Sequence, residues 1–386
     1  MARIPLELKL AIRSLRANPG YALTAVATLA LGIAATTTVF GWIDTTLLRP
    51  IHGVRAPREL AALQAVSRNG ERLKGLTQPD FRDFQRQLTL ASGVAAYHMS
   101  FFTVGPEDHP RRVMGQVVSA NFFAVLGVNP SRGRLLTVAE DVDESGANPV
   151  AVISHRLWRG YFGGDPKVVG SAVRLNGRVM TVVGVTPPEF RGSIPGLAAD
   201  VWTPLSMATQ VGALNTWAGK DRNARFLILQ LRLKQGVTLE QVSQQAQAVA
   251  ARIAAAFPDT HHGIGAEVVS IAASDAGVQK ALGQPLKVLM GVCLLVLLIA
   301  CANVANLLLA RSLSRRREFG VRVAMGAGHG SLMRLQLAEV APLALAGALA
   351  GVLLAQWGGD ALGYLFPSID ATFLAAAEPI LRPRFN

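Results

Sequence analysis

Three uncharged apolar runs constrain this chain more than any other feature. They cover residues 17–43, 288–310 and 340–359. As helices, each reaches across a hydrocarbon layer of about 30 Å. A segment in lipid must satisfy its own backbone polar groups, so the runs are expected to be helices. Tyr21 and Trp42 bracket the first, at about the spacing of aromatic anchors at two interfaces. It is longer than the apolar core of a signal peptide and reads as a signal anchor. Between the second and third runs lies RSLSRRREFGVRVAMGAGHGSLMRLQLAE, with six arginines against two glutamates. A short basic loop between spans is expected on the cytoplasmic side, which places residues 44–287 outside.

The chain of 386 residues is 51% hydrophobic and 16% charged, a balance suited to a membrane protein with a large polar domain. Its net charge of +13 raises nucleic acid as a partner. The basic residues are divided among the N-terminus, the loop and the domain, with no aromatic-interleaved stripe, so no nucleic-acid role is expected. Cys293 and Cys301 lie in one run, about 12 Å apart along a helix, too far for a bridge between them. The external domain therefore has no disulfide and depends on its own core.

Taken in order, residues 1–20 read as an amphipathic cytoplasmic helix and 21–43 as the first span. Residues 44–287 read as a mixed α/β extracytoplasmic domain, 288–310 as the second span, and 311–339 as a cytoplasmic loop. Residues 340–359 read as the third span, with Pro342 in its first turn, and 360–386 as an extracytoplasmic tail. Within the domain, strands are expected at 93–104, 111–119 and 151–154. A hairpin is expected where 173–175 and 179–185 flank Asn176-Gly177. Helices are expected after Thr77, over 120–126, from His155, and over 238–257 behind a T-x-x-Q capping box. The last carries an apolar face of Leu239, Val242, Ala246, Val249, Ala250, Ile253 and Phe257. In the basic loop, Ser314 is expected to cap a short helix with a Glu318–Arg322 pair, Gly326 to end it, and Ser331 to cap the next.

Two stretches carry a family resemblance. RRREFGVRVAMGAGHGSLMRLQLAE closely resembles the cytoplasmic loop of FtsX/MacB-type ABC permeases. NFFAVLGVNPSRGRLLTVAED, VAVISHRLWRGYFGGDPKVVGSAVRLNGRVMTVVGVTPPEFRG and DVWTPL resemble the MacB-type periplasmic core, nearest the duplicated orphan permease branch. The resemblance implies a permease subunit in a bacterial inner membrane, its N-terminus cytoplasmic, that passes ATP-driven motion to the external domain for efflux or export. It further implies that Arg317, Glu318, Phe319, Gly320, Arg322 and Gly326 dock a separate cytoplasmic ABC ATPase. The ATPase would bind the nucleotide, so this chain is expected to have no cofactor and no enzymatic activity of its own. A homodimer, or pairing with a second permease copy, and contact with membrane lipids are implied too. Such permeases have four spans; the expectation here is a chain that stops before the fourth. The alternative is an orphan sensor or scaffold without an ATPase.

Chemical motifs are few. No G-x-x-x-x-G-K-[ST] phosphate loop occurs. The segment from Asp141 to Gly146 begins like a calcium loop but has Val152 where a glutamate is needed. His261-His262 is read as part of a solvated loop rather than a metal pair, and Gly192-Ser193 lacks a nucleophile elbow. No metal site is expected. Gly347 and Gly351 form a G-x-x-x-G that either packs a helix or is incidental. Asn303 and Asn306 are expected to join helices.

Overall fold

A computed structural model describes residues 19–44, 51–106, 108, 110–194, 197–214, 219–274, 278–314, 321, 324–325 and 329–365. The expected amphipathic helix over 1–20 lies almost wholly outside the described residues, as does the tail beyond 365. The chain forms two compact units, one of long apolar helices and one α/β unit. Helix α1 (Pro19–Ile43) opens the helical unit. Thr24, Thr28 and Thr36 donate to carbonyls one turn back, which leaves no hydroxyl proton unmet in an apolar setting.

The α/β unit then runs β1 (Leu60–Ser67), α2 (Gln78–Gln87), β2 (Ala91–Val104), β3 (Arg111–Val118), α3 (Phe122–Leu126), β4 (Arg132–Gly133), β5 (Val150–Ile153) and α4 (His155–Gly160). It continues with β6 (Ala172–Leu175), β7 (Arg178–Val185), β8 (Val201–Pro204), β9 (Ile228–Leu233), α5 (Leu239–Ala256), α6 (Pro258–His261) and β10 (Ile264–Ser270). All strands join one sheet, ordered β10-β1-β9-β2-β3-β8-β5-β7-β4, with β6 paired to β2 and β7. Among the described strands, only β3–β8 and β5–β7 pair in parallel. The expected strands are β2, β3 and β5, shifted by one or two residues. The hairpin is β6–β7, with Leu175 opposite Arg178 and positive φ at Asn176 (49°) and Gly177 (80°), the turn that two-residue hairpins need.

Register explains how the sheet is covered. Across β1, β9 and β2, the rows Ala61–Leu231–Val94 and Leu63–Leu229–Ala96 share one face. Phe81 and Phe84 of α2 and Val242, Ala246, Val249 and Ile253 of α5 belong to the same apolar core. Capping boxes start both helices, Thr77 with Asp80 and Thr238 with Gln241. Two residues of the expected α5 face depart from it: Leu239 and Phe257 are exposed at the helix ends. Phe257 instead lies under the Arg222 guanidinium, 3.7 Å from ring centroid to Cζ.

The other face carries polar residues. Tyr97, Gln116, Trp202 and Gln230 alternate with the apolar rows, and Phe122, Phe123 and Phe190 pack among them. Trp202 Nε1 donates to Gln116 Oε1 (2.8 Å), Gln116 Nε2 to Ser193 Oγ (3.0 Å), and Gln230 Nε2 to the Ser193 carbonyl (3.0 Å). Buried polar groups that meet one another in this way fix register more than they add stability.

Beside β4, Glu140 is buried at the end of a turn capped by Thr137. Burial alone would raise its pKa. The Arg134 guanidinium (2.7 Å) and the Thr137 N–H and hydroxyl outweigh that and hold it below the ordinary glutamate value.

The helical unit closes with α7 (Val278–Ser314) and α8 (His329–Leu365). Both extend past their apolar runs, and the three candidate spans are Pro19–Ile43, Gly283–Ala310 and Val340–Trp357. Three local expectations fail here. Ser314 ends α7 rather than capping a new helix. Likewise, α8 starts at His329, ahead of Ser331. Pro342 lies well inside α8, past its first turn. The extra helical turns absorb the residues that the sequence suggests for caps.

Two outcomes follow for stability. Replacing Gly351 with leucine should lower the detergent-solubilised chain's stability by about 1–3 kcal/mol, since a side chain there overlaps α1; unchanged thermal unfolding would show that the helices separate freely. Glu140→Gln should cost about 1 kcal/mol or less, because Arg134 is half exposed. A depressed folded-state pKa stabilises above the unfolded glutamate pKa of about 4.3 and is lost as pH falls through the folded value. The gap in unfolding temperature between wild type and E140Q should therefore be full at pH 7 and close below about pH 4.

Candidate functional site

The residues expected to dock an ATPase, Arg317, Glu318, Phe319, Gly320, Arg322 and Gly326, lie outside the described residues. Within the same stretch Val321, Ala324 and Met325 are described, and the Met325 N–H donates to the Val321 carbonyl at 3.0 Å. Val321 is 58% exposed and Met325 76%. On either side stand the ends of α7 and α8, helices of 37 residues each, or about 55 Å at the usual rise.

These helices are assembled on α1 through small residues. A Cβ on Gly351 would lie 2.9 Å from the Ala30 carbonyl oxygen and from Ile33 Cβ. One on Gly347 would lie 2.9 Å from Leu29 Cβ. On α1 itself, Gly32 faces α7, where a Cβ would come within 3.1 Å of Leu297. Close backbone approach replaces the hydrophobic drive that is missing between helices in lipid. One turn further along, Ala25, Val304 and Leu343 close a small core.

The same contacts fix direction. Along α1, residues 25, 29 and 33 meet residues 343, 347 and 351 of α8 in rising order, so the two run parallel. Residues 25 and 32 meet 304 and 297 of α7, so α7 runs opposite. The start of α1, the end of α7 and the start of α8 therefore share one end of the bundle. The chain leaves α1 and enters α7 at the other end. No expectation included Gly32; a single glycine in an apolar run carries no spacing signal. Asn303 and Asn306 are exposed on α7.

Reactive groups in the α/β unit are engaged with one another. Asp80 is 1% exposed and receives Arg222 Nη1 (2.9 Å) and the Thr77 N–H (3.2 Å), with His261 Nε2 2.9 Å away. Arg222 also reaches Asp83 (2.7 Å). His261 thus overturns the expected solvated loop: α6 turns it inward onto α2, and a carboxylate 181 positions away gives no local signal. Asp141 and Asp143 meet Arg82 at 2.8 Å each. Ser154 caps α4 through the Leu157 N–H (2.9 Å), as a structural serine does. Ser193 is buried in the sheet network. Among the described residues, no group of three or more His, Cys, Asp or Glu could hold a metal ion.

A family model described as the MacB-like periplasmic core domain matches residues 22–249, and one described as FtsX-like permease C-terminal matches 290–380. The macrolide export ATP-binding/permease protein MacB of Aggregatibacter actinomycetemcomitans is 26% identical over 240 residues, 61% of this chain and 34% of that protein. The pyoverdine export ATP-binding/permease protein PvdT of Pseudomonas syringae pv. syringae is 24% identical over 244 residues, 61% of this chain and 35% of that protein. The chain spans about a third of the length of these relatives. The solved periplasmic region of MacB from Actinobacillus actinomycetemcomitans is similar over 61% of this chain and 94% of that one, with 14% identity and a TM-score of 0.41. With a family model matching well over half its length, and a second matching its helical C-terminal part, the chain belongs to the MacB/FtsX-type ABC transporter permeases.

Proposed function

We propose that this chain is an export permease subunit that converts ATP-driven movement at the 311–339 loop into movement of the α/β domain. The observation that carries the reading is α8, an unbroken helix from His329 to Leu365 whose glycines hold it against α1. A push on the loop end of such a rod moves the whole rod, and α1 with it. A separate cytoplasmic ABC ATPase would supply the push, seated on Arg317, Glu318, Phe319, Gly320, Arg322 and Gly326 and covering the exposed Val321 and Met325. ATP would be bound there and not by this chain.

The parallel course of α1 and α8 supports a topology with the N-terminus and the loop in the cytoplasm and residues 44–287 outside the inner membrane. Exposed Asn303 and Asn306 on α7 support pairing with a second permease copy, because amides facing lipid are costly until they find partners. The remaining outer faces, with Leu31, Leu298 and Leu349 more than half exposed, suit lipid. Cargo is not common to the relatives: their names give a macrolide for one and pyoverdine for another. The fold therefore sets the motion, and its outer surfaces would set the cargo.

Two experiments test this. Charge reversal at Glu318 and Arg322 together should reduce pull-down of a MacB-type ATPase at least tenfold; undiminished capture would remove these residues from the docking surface. For topology, a cysteine replacing Gln235, exposed in the turn before α5, should react with an impermeant maleimide added outside intact cells. With Cys293 and Cys301 replaced by alanine, labelling only after the cytoplasm is opened would reverse the orientation. Ser274 is buried and unsuitable for that probe.

A further inference from the structure

We propose that the α/β unit carries a site for a phosphate group, formed by Arg111, Arg132 and Arg159 around Trp158. Several other guanidinium groups of this unit meet carboxylates. Arg82, Arg134, Arg156 and Arg222 each have one within 3 Å. Arg111, Arg132 and Arg159 are exposed and form no ion pair among the described residues. Asp165, the acidic residue nearest Arg159 in sequence, accepts from the Lys167 N–H (2.9 Å) and caps the turn that follows.

The three side chains are drawn together by the fold, since they come from β3, β4 and α4. Trp158 is 4% exposed, and its indole N–H is fixed on the Asp165 carbonyl at 2.8 Å, so the ring is a rigid platform. The Arg132 and Arg159 guanidinium carbons lie 4.8 and 4.9 Å from its centroid. Arg111 Nη1 hangs beside Gly160, 3.6 Å from where a Cβ would be. Contact with an indole holds a guanidinium group while leaving N–H groups at its edge free for an oxyanion. Like charges held close together with no ion pair among the described residues repel one another, and a bound dianion would relieve that repulsion. Two of the three guanidinium groups lie on one ring and the third beside the end of the same helix, rather than strung along a strand. That geometry suits a single phosphate, with several oxygens for bidentate donors, better than an extended acidic peptide. The phosphate could belong to a lipid headgroup or be free in solution.

Binding to the full chain in detergent tests the site, with inorganic phosphate, dihexanoylphosphatidic acid, dihexanoylglycerol and a polyglutamate peptide as probes. Wild type should bind at least one phosphate-bearing probe saturably, more tightly than dihexanoylglycerol and polyglutamate. R132E/R159E should weaken that binding at least tenfold, while R178E, an equal charge reversal per site on exposed β7, should change it less than twofold. Equal binding of both phosphate probes would mean that the phosphate is recognised by itself; binding of phosphatidic acid alone would identify a lipid headgroup. Tighter binding of polyglutamate than of either phosphate would overturn the proposal in favour of an acidic protein partner. No saturable phosphate binding, or equal loss in R178E, would overturn it outright. R132Q/R159Q guards against misfolding: with wild-type thermal unfolding it should still lose binding at least fivefold, and retained binding there would contradict the site.

Discussion

The helical unit depends on how closely two backbones approach. At Gly351 the Ala30 carbonyl occupies the space that any larger residue would need, and at Gly347 the Leu29 side chain does the same. In water, burial of apolar area would hold such helices together at roughly 25 cal/mol per Å². In lipid that drive is absent, because the surroundings are as apolar as leucine. What remains is dispersion between closely fitted surfaces, and fit is what the glycines provide. The parallel pairing of α1 and α8, the opposite course of α7 and the grouping of the loop with the chain's start all depend on this contact.

The α/β unit solves a different problem. It is held without a disulfide, since both cysteines lie on α7. One sheet face is closed by amphipathic helices over continuous apolar rows. The other is closed by a short helix and irregular chain, and it carries Gln116, Gln230 and Trp202 in a hydrogen-bonded set around Ser193. Irregular backbone brings polar groups that must be met, which fits the placement of amides on that face. A buried ion pair such as Asp80 with Arg222 joins α2 to the chain before β9, and His261 of α6 packs beside it. Such pairs are costly to break rather than large sources of stability.

Much of this was legible because local rules were obeyed. Asn176-Gly177 specifies its turn, the capping box at Thr238 starts its helix, and uncharged length announces the spans. What escaped was non-local. Strand β1 is buried on both faces over Leu60–Ala65, so LAALQA shows no alternation to mark it as a strand. His261 looks like a loop residue until α2 supplies Asp80. Gly32 carries no pattern at all, while Gly347 and Gly351 have a spacing that leaves packing and coincidence open until α1 is in place. The arginines around Trp158 lie far apart in sequence, and only the sheet gathers them.

In the proposed role, the loop and its helices couple an ATPase to the rest of the chain. The most direct measurement is the ATP turnover of a MacB-type ATPase subunit with and without the purified full-length chain in lipid nanodiscs. Coupling predicts a stable complex and a several-fold rise in turnover that is lost when Gly351 is made leucine. An ATPase that hydrolyses normally by itself, and neither binds this chain nor changes its rate in its presence, would contradict the coupling role.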